Sequence, residues 1–369
     1  MTDKNSEGKI INRVLYITLS LFIFTALILI LSIIKSGFAD WYNSSVGAFL
    51  RLAFSAITGF LPFSLAELCI IVAPLLIVAA ISYSIVRIIK KNFNLRTFLK
   101  KLLIVFFIFT IIFINVFGVC YFASPLASRL ELERKELSRQ QLYEDALYTR
   151  TLLESASGNV NFDKSGASVN PHTFSETDSL IDKGYDALSQ SGVYKSVMIG
   201  NSKPILLSKL MTYTHISGMY MPFTGEANVN TNYPDYVVAF TIAHEKAHQR
   251  GIASEDEANF MAFLACMASG DEYLEYAALM NMYDYFLDAT FKQDEEMYNE
   301  LVDKTPEVIL KEMYAYYKFF EKYTNSAASV VAESVNDTYL KTMGKEDGVK
   351  SYGLVIELYH AYIQKEKAE

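Results

Sequence analysis

The stretch VVAFTIAHEKAHQRGIASEDEANF, residues 237–260, decides how this chain is read. Val237, Val238, Phe240, Ile242 and Ala243 make its first half apolar, so the pattern predicts a buried helix. Pro234 and Asp235 suit the first turn of that helix, and Gly251 can stop it in a left-handed cap. Within it, His244 and His248 stand four residues apart, on one face, one turn above the other. Two imidazoles so placed can reach one metal ion. Glu245 projects about 100° round from His244, where it can hold a water at the metal without binding the metal itself. Zinc lowers the pKa of such a water to about 7, and a glutamate can then take its proton.

Catalytic zinc takes three protein ligands and keeps one position open. After Gly251, Ser254 and Glu257 spell S-x-x-E, a capping box that opens the next helix and gives Glu257 a structural task. Glu255 has no such task and falls in the first turn, so it is the first choice for third ligand. Glu257 is the second choice, with His215 and Glu226 behind it. Asn259 lies four residues beyond Glu255, placed to hydrogen-bond a metal-bound histidine. Cys69 and Cys120 sit in apolar runs and Cys266 stands alone, which excludes both a four-cysteine site and a disulfide framework for the soluble part. Any metal must therefore rely on histidine and carboxylate.

Outward from this stretch the chain divides. Up to Ser124 it carries 11 basic and 4 acidic residues, and beyond it 22 against 37. The acidic second part has no basic stripe, which argues against nucleic acid as a partner. Residues 1–124 read as a membrane module. Val14–Ile34, Leu68–Val86 and Leu102–Phe122 are long enough to cross a bilayer, which needs about 20 apolar residues. Val46–Phe63 contains Arg51, Gly59 and Pro62, with large apolar residues at helical spacing, and reads as an interfacial or re-entrant helix. Arg87–Lys101 holds six Lys/Arg and no acid, so the positive-inside bias puts it in the cytoplasm. Three spans then leave the N-terminus inside and everything after Phe122 outside, as a multi-pass protein of the cell membrane with the lipid bilayer as a partner.

Residues 125–170 read as a juxtamembrane helix, Ser128–Ala156, followed by a Gly/Ser/Asn-rich loop. Residues 171–369 form the candidate catalytic domain. Helices are expected over Thr177–Gln190, Asp235–Arg250, Glu255–Ala268, Glu272–Asp303, Pro306–Tyr323, Ala327–Met343 and Val349–Lys365, with Thr305 as an N-cap before Pro306. The fold class expected is thus mainly α: transmembrane helices, then an α-rich α+β domain. His172 and His360 have no motif partners and are expected to be structural.

His244, Glu245, His248 and Glu255, followed by Ala258-Asn259, resemble the gluzincin pattern, HExxH followed by E-x-x-A-D. In that class the later glutamate is the third zinc ligand and the aspartate orients a histidine. Here Asn259 stands where the aspartate would, and the gap from His248 to Glu255 is short. The Gly251 spacing is that of metzincins, but their third-ligand position is Ser254 here. The whole chain is similar to a family of bacterial membrane proteins called domain of unknown function 3810, through Phe223–Asn230, His244–Gly251 and Glu255–Phe260. This resemblance supports a zincin-like metallopeptidase site but carries no known substrate; the partner expected is a peptide or protein of the cell envelope. In zincins an edge strand before the metal-binding helix pairs with the substrate. Gly218–Pro222 fits that strand, with Thr224-Gly225 as its turn. Glu226 and His215 would then face the cleft, and His215 or a nearby tyrosine would steady an oxyanion, the plainer reading of Glu226 being an exposed turn residue. The competing expectation is a non-catalytic, zinc-stabilised envelope scaffold or receptor.

Overall fold

The computed structural model describes residues 2–194, 196, 198–324, 330, 331, 334 and 352–368. The chain is mainly helical and divides into two compact units. The first comprises residues 1–123 and 221–226, and the second comprises residues 124–220 and 227–369.

In the first unit, α1 (Thr2–Ile34) is followed by α2 (Ser36–Tyr42), a π turn (Asn43–Gly47) and α3 (Ala48–Gly59), then by α4 (Leu65–Ile89) and α5 (Leu95–Val116). Three helical segments are long and apolar enough to cross a membrane: Glu7–Ile34, Leu65–Ile89 and Leu95–Val116. The third lies nearer the N-terminus than the expected run, 102–122, and the reason is local. The Asn94 side chain accepts the Thr97 N–H at 3.1 Å and starts α5 early, so Arg96, Lys100 and Lys101 ride on its first turns. Gly118–Phe122 is a separate 3-10 turn. The segment 46–63 lies mostly in the π turn and α3, which continue the helical run begun at Ser36 without a break in backbone conformation. Its Arg51 is buried, donating to Val116 O at 3.0 Å and to the Asn43 carbonyl and side-chain oxygens at 2.8 Å each.

Residues 221–226, the tip of a β-hairpin, belong to this unit. Gly225 has φ +71°, and a Cβ there would lie 2.7 Å from the Ser55 nitrogen. Only glycine meets both demands. Thr58 donates its hydroxyl to Thr224 O at 3.1 Å. Glu226 is buried, and its carboxylate accepts the Leu65 and Ala66 N–H groups at 3.1 and 2.8 Å, satisfying two orphan donors at the start of α4.

The second unit opens with α6 (Leu126–Arg129) and α7 (Arg139–Ser157). A two-stranded antiparallel ribbon follows, β1 (Asn161–Phe162) with β2 (Ser168–Val169), then α8 (Phe174–Gln190). Next come β3 (Lys203–Pro204), α9 (Ser208–Met211), β4 (Gly218–Met221) and β5 (Glu226–Val229). The three strands form one sheet in the order β3-β5-β4, with β3 parallel to β5 in the register Lys203↔Asn228. The Asn228 amide donates to Met219 O at 3.1 Å, and the Asn230 backbone N–H donates to Ser217 O at 2.8 Å, so both tie β4 down.

The remaining elements among the described residues are helices: α10 (Asp235–Gln249), α11 (Glu255–Ala268), α12 (Glu272–Gln293), α13 (Glu295–Asp303), α14 (Glu307–Phe320) and α15 (Tyr352–Ala368). The single helix expected over 272–303 breaks at Asp294, whose side chain turns back to accept the Met297 N–H at 3.0 Å. Thr305 does not cap α14. It is buried, and its hydroxyl bonds Leu301 O at 2.8 Å and the Tyr283 hydroxyl at 2.7 Å. The helix expected over 327–343 lies, but for residues 330, 331 and 334, outside the described residues. The core runs through α10, α11 and α12, where Ile242, Ala262 and Ala278 are fully enclosed. Against it α8 packs backbone to backbone, since a Cβ on Gly184 would stand 1.9 Å from Ala265 O.

Candidate metal centre

The site is made by two helices and the turn between them. Helix α10 carries His244 and His248, and the chain reverses at Gly251, φ +88°. The Gly251 N–H reaches His248 O at 2.9 Å and the Ile252 N–H reaches Ala247 O at 3.2 Å, which closes the helix end. Helix α11 then starts with Glu255 facing back. Its Oε2 lies 3.1 Å from His244 Nε2 and 3.5 Å from His248 Nε2. Among the described residues these three form the one cluster whose ligand atoms all lie within 4.8 Å of one another.

Those distances can be tested against a metal. Zinc with ligands at about 2.0–2.1 Å in a tetrahedron places neighbouring donor atoms about 3.3 Å apart, between the two values seen. The protonation pattern fits as well. His244 Nδ1 faces Asn259 Oδ1 at 2.7 Å, and His248 Nδ1 faces Ile252 O at 2.7 Å. A carbonyl oxygen can only accept, so each ring donates from Nδ1, and a neutral ring presents a bare Nε2 lone pair. Two lone pairs and a carboxylate oxygen then point at one place, an arrangement that calls for a cation. Without a metal, a proton must serve. Burial pulls the His248 pKa down, but the Glu255 carboxylate outweighs it and pushes the pKa up to about 9. Burial works against the Glu255 carboxylate too, yet the two imidazoles hold it well below the usual range.

Glu245 is 4% exposed. Burial pushes its carboxyl above the usual glutamate range, and His244 and His248 draw it part of the way back. It accepts the Tyr220 backbone N–H, while its Oε2 is buried with no hydrogen-bond partner among the described residues. Strand β4 passes directly over it: a Cβ on Gly218 would stand 2.5 Å from Glu245 Oε1. The expected strand therefore lies beside Glu245, with β4 at the edge of its sheet.

Other expected positions are corrected. Glu257 is not in a capping box with Ser254, because the Ser254 hydroxyl bonds Asp256. Glu257 instead reaches the Leu126 N–H at 2.6 Å and Arg129 at 3.7 Å, so its carboxylate serves α6 and not the cluster. His215, at φ +61°, lays its ring 4.7 Å from that of Phe320 and spends Nε2 on Tyr323 O at 2.9 Å. Glu226 caps α4 and is neither an exposed turn residue nor a member of the cluster. His172 and His360 pair with Asp271 and Asp145, as structural histidines do.

One group was missed. Lys246 is fully buried and pairs with Asp178 at 3.0 Å and Asp182 at 2.6 Å, both on α8. Arg250 joins Asp182 at 2.9 Å and lies 4.0 Å over the Tyr185 ring. The signal was available: Lys246 falls on the same helical face as Ala239, Ile242 and Ala243, and a charge there requires a buried counter-ion. This network fixes the side of α10 away from His244 and His248.

A protein-family model matches residues 42–359. The chain belongs to the family described as protein of unknown function, DUF3810. No curated protein and no solved structure matches it. The matched span begins in α2 and takes in the whole of the cluster, the hairpin and the Lys246 network.

Proposed function

We propose that this chain is a membrane-anchored, zinc-dependent hydrolase, and specifically a peptidase. The observation that carries the reading is the convergence of His244 Nε2, His248 Nε2 and Glu255 Oε2 beside a buried, half-unsatisfied Glu245. Zinc bound by those three atoms would supply a Lewis acid that brings the pKa of a water near 7. Glu245 would act as the general base, burial having raised its pKa and so made its carboxylate a stronger base. In peptide hydrolysis the water oxygen forms the new bond to the carbonyl carbon and the C–N bond breaks. Glu245 would deliver the proton it has taken to the departing nitrogen. Asn259 and Ile252 O would hold the two imidazoles in orientation throughout. The substrate would lie extended along β4, the edge strand of its sheet, the geometry by which sheet edges recruit peptides.

The three apolar helices and the basic residues around the α4–α5 loop support a multi-pass protein with its N-terminus cytoplasmic and its second unit outside. The test compares purified full-length wild type with Glu245→Gln. Both should hold one zinc per chain by atomic absorption, and only wild type should cut an unfolded generic substrate such as casein. Equal cutting by the two proteins, or zinc-loaded wild type that cuts nothing, would overturn the reading. Retention of biological function by Glu245→Gln would favour the scaffold instead.

A further inference from the structure

In the second unit, α9 is amphipathic in the reverse sense for a helix that faces water. It runs on into a 3-10 turn, Thr212–Thr214, so residues 208–214 form one short helical rod. In water the apolar residues of such a rod turn toward the protein and the polar ones turn out. Here Ser208 and Thr212 are the buried ones. The Ser208 hydroxyl donates to Ile205 O at 2.6 Å and accepts the Thr231 N–H at 2.9 Å. The Thr212 hydroxyl donates to Ser208 O at 2.9 Å and accepts from the Asn230 and Asn232 side-chain amides at 3.1 and 2.9 Å. The apolar residues lie outside: Leu206 is 82% exposed, Leu207 46%, Leu210 65% and Tyr213 40%. Leu207, Leu210 and Tyr213 recur every three residues, the spacing of one helix face, and Leu206 stands at its head. The bonds to Asn230, Thr231 and Asn232 stop the rod from rolling over to hide its leucines. Apolar side chains shown together in this way mark a surface that meets something apolar.

Charge indicates what that is. Beyond Ser124 the chain carries 37 acidic residues, yet none of them lies between Asp186 and Glu226. That stretch carries Lys195, Lys203 and Lys209, and Lys209 is exposed on α9 itself, between Leu207 and Leu210. An otherwise acidic part of the chain is thus free of acids just where it shows its leucines. Carboxylates there would be repelled by anionic headgroups, whereas lysines are drawn to them. Outward leucines with a lysine among them and a tyrosine at the end are the features of an interfacial helix, whose apolar side enters the acyl boundary by about 5–10 Å. Three helices of this chain are long and apolar enough to cross a membrane, so a bilayer is the apolar phase it carries with it. So short a rod would hold a free domain to lipid only weakly. On a chain that already spans the bilayer the second attachment is intramolecular and needs little affinity.

We infer that α9 and the two leucines before it form a monotopic membrane anchor. Leu206, Leu207 and Leu210 enter the acyl boundary of a bilayer with anionic headgroups, Lys209 lies at the phosphates, and Tyr213 sits at the interface. The anchor depends neither on the metal cluster nor on hydrolysis.

The experiment uses the full-length protein with its exposed thiol removed by Cys69→Ser and an environment-sensitive nitrobenzoxadiazole dye on Leu210→Cys. Leu206→Cys is labelled in parallel, and Glu296→Cys, exposed on α13, is the aqueous control. Each protein is placed in phosphatidylethanolamine/phosphatidylglycerol nanodiscs, with and without lipid that bears a doxyl quencher near the headgroup. At both leucine positions the expected result is blue-shifted emission that doxyl lipid quenches and aqueous iodide does not, with the opposite at Glu296. Adding Lys209→Glu to the Leu210→Cys protein should weaken the quenching by lipid, and unchanged quenching would overturn the part given to Lys209. Emission at the leucine positions equal to that at Glu296 would overturn the inference. So would blue-shifted emission that doxyl lipid leaves unquenched, because protein, either a second copy or another part of this chain, would then cover the face.

Discussion

Replacing Gly218 by alanine tests the catalytic geometry without touching a metal ligand. The added Cβ would stand 2.5 Å from Glu245 Oε1, 2.6 Å from Thr241 Cγ2 and 2.8 Å from Glu245 Cγ. Ordinary contact is about 3.5 Å, so the carboxylate must move by about 1 Å. It has little room, because Glu245 is 4% exposed and the same Cβ also meets Thr241 Cγ2. A displacement of about 1 Å in a catalytic group costs roughly 100-fold in rate, equivalent to about 2.7 kcal/mol of transition-state stabilisation. Overpacking should also cost about 1–3 kcal/mol of stability. The assay is kcat/KM on the generic substrate, with zinc stoichiometry and thermal unfolding measured on the same preparation. The expected outcome is full zinc, a modestly lowered Tm and about a hundredfold loss of kcat/KM. Undiminished hydrolysis in a folded, zinc-loaded Gly218→Ala would refute the assignment of Glu245 as base in this pose.

Three further outcomes follow from the same geometry. Asn259→Ala removes the acceptor from His244 Nδ1, so zinc affinity measured by chelator competition should fall about 10–100-fold; an unchanged affinity would show that the bond does not orient the ring. Glu255→Ala should lose zinc while Glu257→Ala keeps it and loses about 1–3 kcal/mol through the stranded Leu126 N–H and Arg129, and the reverse pattern by atomic absorption would shift the ligand set by two residues. Glu312 is buried, which raises its carboxyl above the usual range although Ser168 and Tyr276 bond to it. The folded chain thus binds that proton more tightly than the unfolded chain, whose value is about 4.3. Its contribution is complete below that value and is lost as pH rises through the folded one. The Tm of wild type relative to Glu312→Gln should therefore improve as the buffer is taken from about pH 8 to about pH 5, and a constant difference would contradict the assignment.

How much of this was legible in residues 237–260 can be argued position by position. The convergence of His244, His248 and Glu255 follows from helical spacing and one left-handed glycine, because a cluster made by two helices and a tight turn is a local object. Asn259 follows likewise, from one turn of α11. The three apolar helices were visible because a bilayer demands length and composition alone, although the cap at Asn94 moved the third. Glu226, His215 and Glu257 were misjudged because their partners, at Ala66, Tyr323 and Leu126, lie 160, 108 and 131 residues away, and no local pattern announces them. Ser254 and Glu257 matched a capping box in spelling, yet a distant N–H and an arginine outbid the local one. The same limit hid the seat of the hairpin. That Gly218 touches Glu245 while Glu226, eight residues on, caps an apolar helix is a matter of which surfaces meet, and chains distant in sequence meet only in the tertiary fold. Sequence by itself determined the three long apolar helices, the helix that carries His244 and His248, and the clustering of Glu255 with them, since each depends on composition or on spacing within one or two turns. Tertiary structure alone decided the partners of Glu226, His215, Glu257 and Lys246, since burial obliges polar groups to find a partner wherever the fold brings one.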